Sequence, residues 1–439
     1  MADNTTNVKS MIQKGRKKDR KGYMMKRILV LLGLLFLLTG CKETEVVPGE
    51  VSQSPSGQPA ETEETVEEEG KVITDAFEIA GLAEKILSNM TLEEKIGQLF
   101  LVNLEAIDSS QGTFYEHRVF TDNMKESLEK YSVGGVIYFS RNIETREQIL
   151  TLNQELQEAS KFPLFISVDE EGGEVARLAN NDNMKMTQFP SMEEVGQTKD
   201  TEYAYEIGNT IGTKIKELGF NLDFAPVADV RTNESNTEIG NRSFGSDEDL
   251  VASMVKEVVK GLQNAGVSAT LKHFPGHGDA EGDTHKASVN IDNDLARLRS
   301  IDFVPFKAGI KAGVDFIMVS HISISRVAGN TTPASVSSLV MKTILREELG
   351  FEGIIITDAM DMKAITEAFT SEEAAVKAIE AGADMVLMPD NFEEAYEGVQ
   401  KAVEDGKISE KNIDKSVLRI LELKIKRGLI LSDTNLIYK

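Results

Sequence analysis

The chain has 439 residues, 41% of them hydrophobic, with 48 Lys or Arg against 72 Asp or Glu and one cysteine. That is enough apolar material for one large domain or two ordinary ones. The net charge of −24 argues against nucleic acid as a partner, and a lone cysteine rules out an internal disulfide.

Chain order begins with an export signal. Met24 to Cys41 reads MMKRILVLLGLLFLLTGC, in which Lys26 and Arg27 precede an apolar run from Ile28 to Leu38. The run is too short for a spanning helix and fits a secretory signal peptide. Small residues before Cys41 resemble the lipobox of bacterial lipoproteins, which implies lipidation of Cys41 and attachment to the outer face of the cell membrane. Residues 1–23 are basic and polar, and the Met24-Met25 pair is the better start. Residues 1–40 carry nine Lys or Arg and two Asp, so removing that net +7 leaves the mature chain near −31. Membrane association is therefore expected through lipid and not through a basic patch.

Residues 41–78 form an expected linker: from Lys42 to Lys71 there are nine glutamates and no aromatic residue. Such a stretch buries too little apolar surface to fold, and its like charges extend it as a tether.

From Ile79 to 435 the pattern changes to alternation of helix-like segments with short apolar runs. The runs are Gln98–Val102, Gly134–Tyr138, Leu164–Val168, Asn221–Ala225, Ser268–Lys272, Phe316–Ser320, Gly353–Thr357 and Met385–Met388. Continuous Val, Ile, Leu and Phe suits strands covered on both faces. Thr91 with Glu94, and Thr370 with Glu373, have the capping-box spacing that starts a helix. Repeated strand and helix over this span predict a single (β/α)8 TIM-type barrel, with a doubly wound open sheet as the alternative.

Polar residues recur at the ends of these runs: Asp169, Asp223, Lys272-His273, Ser320-His321 and Asp358. Any one could be a helix N-cap. In a barrel, however, all of them converge on one mouth, where active sites are built. The densest stretch is KHFPGHGDAEGDTH from Lys272 to His285, and with His321 it holds four of the five histidines. Residue chemistry alone leaves a metal site or acid–base catalysis open there.

The same stretch resembles the signature loop of glycoside hydrolase family 3 β-N-acetylglucosaminidases, the NagZ-like enzymes. The resemblance extends over the barrel, through Asp169-Glu170-Glu171-Gly172-Gly173 with Arg177, Asn221 to Asp229, Asn241-Arg242-Ser243-Phe244-Gly245, and Gly353 to Asp358. It implies that Asp358 is the nucleophile of a retaining mechanism, that His285 is the general acid/base, and that Asp283 orients it. It further implies that Asp169, Arg177, Arg242, Lys272 and His273 bind the terminal sugar, with neither cofactor nor metal. The glycine-rich loop is expected to be mobile and to close over bound sugar.

Two positions depart from the family pattern. Glu170 stands where Gln is more frequent, and Glu174 where Arg is. No catalytic role is expected of either.

The resemblance and the export signal together imply action on peptidoglycan-derived GlcNAc linked to N-acetylmuramic acid; with no second domain recognised, a monomer is expected. A broader family 3 β-glucosidase is the competing enzyme. A sugar-binding lipoprotein, and a metal-dependent hydrolase built on His273, His277, His285 and Asp283, are the readings from other classes.

Overall fold

All eight predicted runs contribute a strand or strand segment in the computed structural model, which describes residues 72–282 and 287–432. Cys41, Asp283 and His285 lie outside the described residues, as do the export segment and most of the expected linker. The barrel strands are β1 (Phe100–Asn103), β2 (Gly135–Tyr138), β3 (Phe165–Val168), β6 (Leu222–Asp223), β7 (Ser268–Phe274), β8 (Phe316–Val319), β9 (Ile354–Thr357) and β10 (Val386–Leu387). All pair in parallel in the order β10-β1-β2-β3-β6-β7-β8-β9. A bridge between Ile356 and Met385 brings the two outer strands together. The architecture is that of a (β/α)8 barrel, not an open sheet.

Every residue of these strands except Asn103 is buried, because helices cover the outer surface and side chains fill the inside. The crossover helices include Thr201–Lys216 and Glu248–Asn264, which pack against each other, and Ser371–Ala381 with Phe392–Glu404. Their starts follow the expected chemistry. Both predicted capping boxes are present, Thr91 with Glu94 and Thr370 with Glu373.

Three boundaries differ from expectation for identifiable reasons. Gln98 ends the helix Leu92–Gln98 instead of opening β1. Its amide nitrogen donates to the Ser132 carbonyl at 2.6 Å and its oxygen accepts from Lys424 Nζ at 2.7 Å, so it serves the barrel floor. At the other end, β7 runs on to Phe274, with a register shift against β8 between Leu271 and Phe274. That irregularity re-aims Lys272 and His273. Finally, helix Ala76–Leu87 starts three residues before the expected barrel boundary, capped by Asp75, and packs on the last helix, Glu410–Lys426.

A short antiparallel hairpin, β4 (Glu170–Gly172) with β5 (Val175–Ala176), rises directly from the end of β3. No described helix is long and apolar enough to cross a membrane.

The floor of the barrel holds an unusual lysine. Lys424 is 0% exposed, stands 5.0 Å from the Phe165 ring, and hydrogen-bonds Gln98. Burial lowers its pKa from the ordinary lysine range to about 7. Unfolding returns the amine to water, where it takes up a proton at any pH below about 10. The wild type therefore loses stability as pH falls from about 10 to about 7. Relative to it, Lys424→Met is expected to gain stability across that window and to hold a constant advantage below it. Urea unfolding at pH 7 and pH 10 measures the difference; an equal effect at both values would refute the buried neutral amine.

Candidate active site

The site begins with the way β3 ends. Asp169 and Glu171 are two apart in extended backbone, so both carboxylates address the same side. Lys272, re-aimed by the β7 irregularity, places Nζ 2.8 Å from Asp169 Oδ1 and 2.6 Å from Glu171 Oε1. Arg242, on the loop after β6, grips Glu171 with both arms, Nε to Oε2 at 2.9 Å and Nη2 to Oε1 at 2.8 Å. Arg177 follows the hairpin and sets Nη2 3.9 Å from Asp169 Oδ2. Two cations and two anions thus interlock at the C-terminal mouth, and a third cation stands beside them.

Burial decides how this cluster behaves. The Glu171 side chain is 1% exposed and that of Lys272 3%. Burial alone would favour a protonated Glu171, but the charges of Arg242 and Lys272 overcome it and hold the carboxyl well below its usual range. Burial alone would likewise discharge Lys272; Asp169 and Glu171 overcome that and raise its pKa. Glu171, Lys272 and Arg242 are therefore charged at neutral pH. The cluster offers fixed donors and an acceptor, Asp169, to the hydroxyls of a bound polar ligand.

His273 belongs to a neighbouring arrangement built on Asp229. One carboxylate takes His273 Nδ1 at 2.7 Å, the His273 amide at 3.2 Å and the His277 amide at 2.6 Å. With Nδ1 engaged, Nε2 is the ring nitrogen left to face a ligand. Burial of Asp229 opposes its ionisation, yet the adjacent His273 draws its pKa down. The loop turns at Gly276, whose φ of +121° suits glycine. At Gly278 a Cβ would come within 2.0 Å of the Val230 carbonyl, so only glycine fits.

Asp358 leaves the end of β9 half buried. Its amide donates to the Val319 carbonyl at 2.8 Å, and its Oδ1 accepts from the Ala359 amide at 2.8 Å. Its charge reaches the buried His277, whose own pKa is lowered by burial and by the nearby His273.

Two further carboxyls lie beneath the mouth. Asp223 Oδ1 accepts from the Glu170 amide at 2.9 Å, and burial lifts its pKa well above the carboxylate range. Glu170 accepts from the amides of Leu178 at 2.7 Å and Ala179 at 2.9 Å, which pins the turn just after Arg177. Burial raises its pKa to about 7 against those two bonds. A group whose folded pKa is raised holds its proton more tightly when folded, so it favours the fold at low pH and loses that contribution as pH climbs from about 4.5 to about 7. Glu170→Gln is expected to remove this slope. The difference in unfolding free energy between wild type and variant, followed from pH 4.5 to 8, checks it; a flat difference would refute it.

The structure therefore brings together Asp169, Arg177, Arg242 and Lys272, sets His273 on Asp229, and places Asp358 at the same mouth. Sequence reading passed over Glu171 and Asp229. The signal for Glu171 was its spacing from Asp169; that for Asp229 was a carboxylate closing the otherwise apolar stretch Phe224 to Ala228.

Residues 91–423 match the sequence profile of the glycosyl hydrolase family 3 N-terminal domain. The chain is 34% identical over 331 residues to beta-hexosaminidase A of Pseudoalteromonas piscicida, covering 69% of this chain and 55% of that protein. It thus spans just over half of that relative. It is 34% identical over 288 residues to a beta-hexosaminidase of Stenotrophomonas maltophilia strain K279a, covering 64% of this chain and 84% of the other. A solved structure of a glycoside hydrolase family 3 beta-N-acetylglucosaminidase from Paenibacillus sp. str. FPU-7 superposes with a TM-score of 0.73 at 38% identity, covering 77% of this chain and 63% of that one.

Proposed function

This chain belongs to glycosyl hydrolase family 3, and from that premise we propose that it is a retaining, exo-acting β-N-acetylglucosaminidase releasing terminal GlcNAc. The observation that carries this reading is the charged cluster of Asp169, Glu171, Lys272 and Arg242 at the barrel mouth that also holds Asp358. Supporting it are the similarities to proteins named beta-hexosaminidase and beta-N-acetylglucosaminidase.

In this mechanism Asp358 attacks the anomeric carbon while the bond to the leaving oxygen breaks, and His285 gives that oxygen its proton. Water then attacks the same carbon, passes a proton to His285, and frees Asp358. Asp283 orients the imidazole. The roles of Asp283 and His285 rest on the motif they complete. Asp169, Arg177, Arg242, Lys272 and His273 hold the terminal sugar.

The natural substrate we propose is GlcNAc linked to N-acetylmuramic acid in peptidoglycan fragments. This follows from the export signal and a lipidated Cys41, which would station the enzyme on the outer face of the membrane beside the wall.

The test is turnover of a chromogenic β-N-acetylglucosaminide beside the matching β-glucoside by the full-length chain extracted in detergent, with and without a chelator. Chelator-resistant turnover of the first supports the reading. Activity on the glucoside alone, or loss on chelation, would overturn it. GlcNAc-N-acetylmuramic acid against chitobiose then tests the proposed natural substrate, which fails if chitobiose is the better of the two.

A further inference from the structure

His321 was singled out by its place at the end of β8, yet the mechanism above does not use it. It is 0% exposed. Its Nε2 lies 2.8 Å from the carbonyl oxygen of Ala359, the residue directly after the nucleophile, and its Nδ1 lies 2.7 Å from Ser335 Oγ, also 0% exposed. A carbonyl can only accept, so Nε2 carries the proton. In the neutral ring Nδ1 is then an acceptor, and the Ser335 hydroxyl donates to it.

We propose that His321 is a positioning residue for the nucleophile: it anchors the Ala359–Met360 peptide, the second unit after Asp358, with Ser335 selecting the tautomer that can do so. The proposal rests on the reading of Asp358 as nucleophile.

Hydrogen bonds on both sides of Asp358 hold the turn that bears it. The Asp358 amide bonds Val319, its Oδ1 bonds the Ala359 amide, and the Ala359 carbonyl bonds His321. The first fixes where residue 358 leaves β9. The second ties the carboxylate to the next peptide unit. The third acts beyond Ala359, where the Met360 amide also donates to the Leu387 carbonyl at 2.9 Å and the Met362 amide to the Ala359 carbonyl at 3.3 Å; of these bonds it is the one made by a side chain, from the segment just after β8. Without the His321 bond the Ala359–Met360 peptide loses its side-chain anchor and is held by main-chain bonds alone, so the turn can shift, and with it the Ala359 amide that the Asp358 oxygen accepts from. A displacement on the order of 1 Å at a reacting group is enough to cost about 100-fold in rate. Ser335 is held in turn by its amide, which donates to the Ser320 carbonyl at 3.0 Å, so the hydroxyl has a fixed origin.

Two substitutions separate this role from simple filling of space. Glutamine carries its amide nitrogen about as far from the backbone as Nε2, whereas asparagine reaches only to the Nδ1 position. His321→Gln therefore keeps a donor for Ala359; His321→Asn keeps contact toward Ser335 alone. With a chromogenic β-N-acetylglucosaminide and the full-length chain, kcat is expected to fall about 100-fold in His321→Asn and by less than about 10-fold in His321→Gln. KM should stay within about threefold in both, because the sugar-holding cluster is not touched. Ser335→Ala should lower kcat in the same sense and shift the 15N resonances of His321 away from the Nε2-protonated pattern.

Equal loss in the Asn and Gln variants, or loss through KM, would overturn the proposal. A wild type inactive on every aryl glycoside would instead overturn the functional reading on which it rests. A wild type that turns over normally while neither variant slows would overturn the role of His321 alone.

Discussion

Asp358→Ala is expected to lower kcat on a β-N-acetylglucosaminide by about 10⁴–10⁶-fold, the range seen when a covalent nucleophile is removed from an otherwise intact site. The fold should survive, because the amide that holds residue 358 to Val319 belongs to the main chain and persists. Among the bonds lost locally is that from the Ala359 amide to Oδ1, with a net worth of about 1 kcal/mol. A stereochemical result separates the nucleophile from a residue that merely shapes the pocket. Small anions such as azide can enter the vacated space and attack the anomeric carbon from that face. The retaining mechanism then predicts an α-glycosyl azide from a β-linked substrate. Residual activity above a few per cent of wild type, or a β-configured azide product, would remove Asp358 from the role.

Glu171→Ala is expected to be the most destabilising single change at the mouth, at about 3–5 kcal/mol, because it leaves buried positive charge uncompensated. Glu171 receives both arms of Arg242 and the ammonium of Lys272. Without it the two cations face each other, Lys272 keeping Asp169 at 2.8 Å and Arg242 keeping Glu238 at 3.9 Å. Loss of sugar binding should accompany loss of stability, since Lys272 and Arg242 would no longer be held in place. Glu171→Gln keeps hydrogen-bonding capacity while deleting the charge, and should fall between wild type and the alanine variant. The pH dependence has a definite sign. The folded pKa of Glu171 is depressed, so its contribution is complete above the ordinary carboxylate range near 4.3 and fades as pH falls through the folded value. The gap between wild type and Glu171→Ala in urea unfolding should therefore be wide at pH 7 and narrow in acid. A gap under about 1 kcal/mol at pH 7 would mean that the four side chains do not act as one charged unit.

The strands were legible because a parallel barrel buries each of them on both sides. Val136, Ile137, Phe165, Ile166, Ile317 and Ile355 had to be apolar, and in short runs. Polar residues that serve the structure were not legible in the same way. Gln98 sits among apolar neighbours and reads as strand, although its amide is spent on Ser132 and Lys424. The β4–β5 hairpin escaped because three residues against two, with an irregular register, are too few for alternation to show. The residues proposed to hold the sugar were named from their motifs, and the structure brings Asp169, Arg177, Arg242 and Lys272 together. The carboxylates that organise them were not so named, because Glu171 and Asp229 act through neighbours brought in from other strands. Ser335 escaped for the same reason: its partner His321 is on the preceding strand, and nothing in the local sequence marks the pairing.

The interlocked charges at the mouth also constrain how such a site can change over generations. Glu171 is shared by Arg242 and Lys272, and Lys272 is shared by Glu171 and Asp169. Replacing any one member strands a charge on another, so the fitness effect of each substitution depends on which residues already occupy the other positions. Under the proposed function, new sugar preferences are then reachable only through paired replacements or through an intermediate that folds poorly. Loops on the rim carry no such debt. Descendants of this chain should therefore diversify in what they accept beyond the terminal residue long before they alter the terminal residue itself.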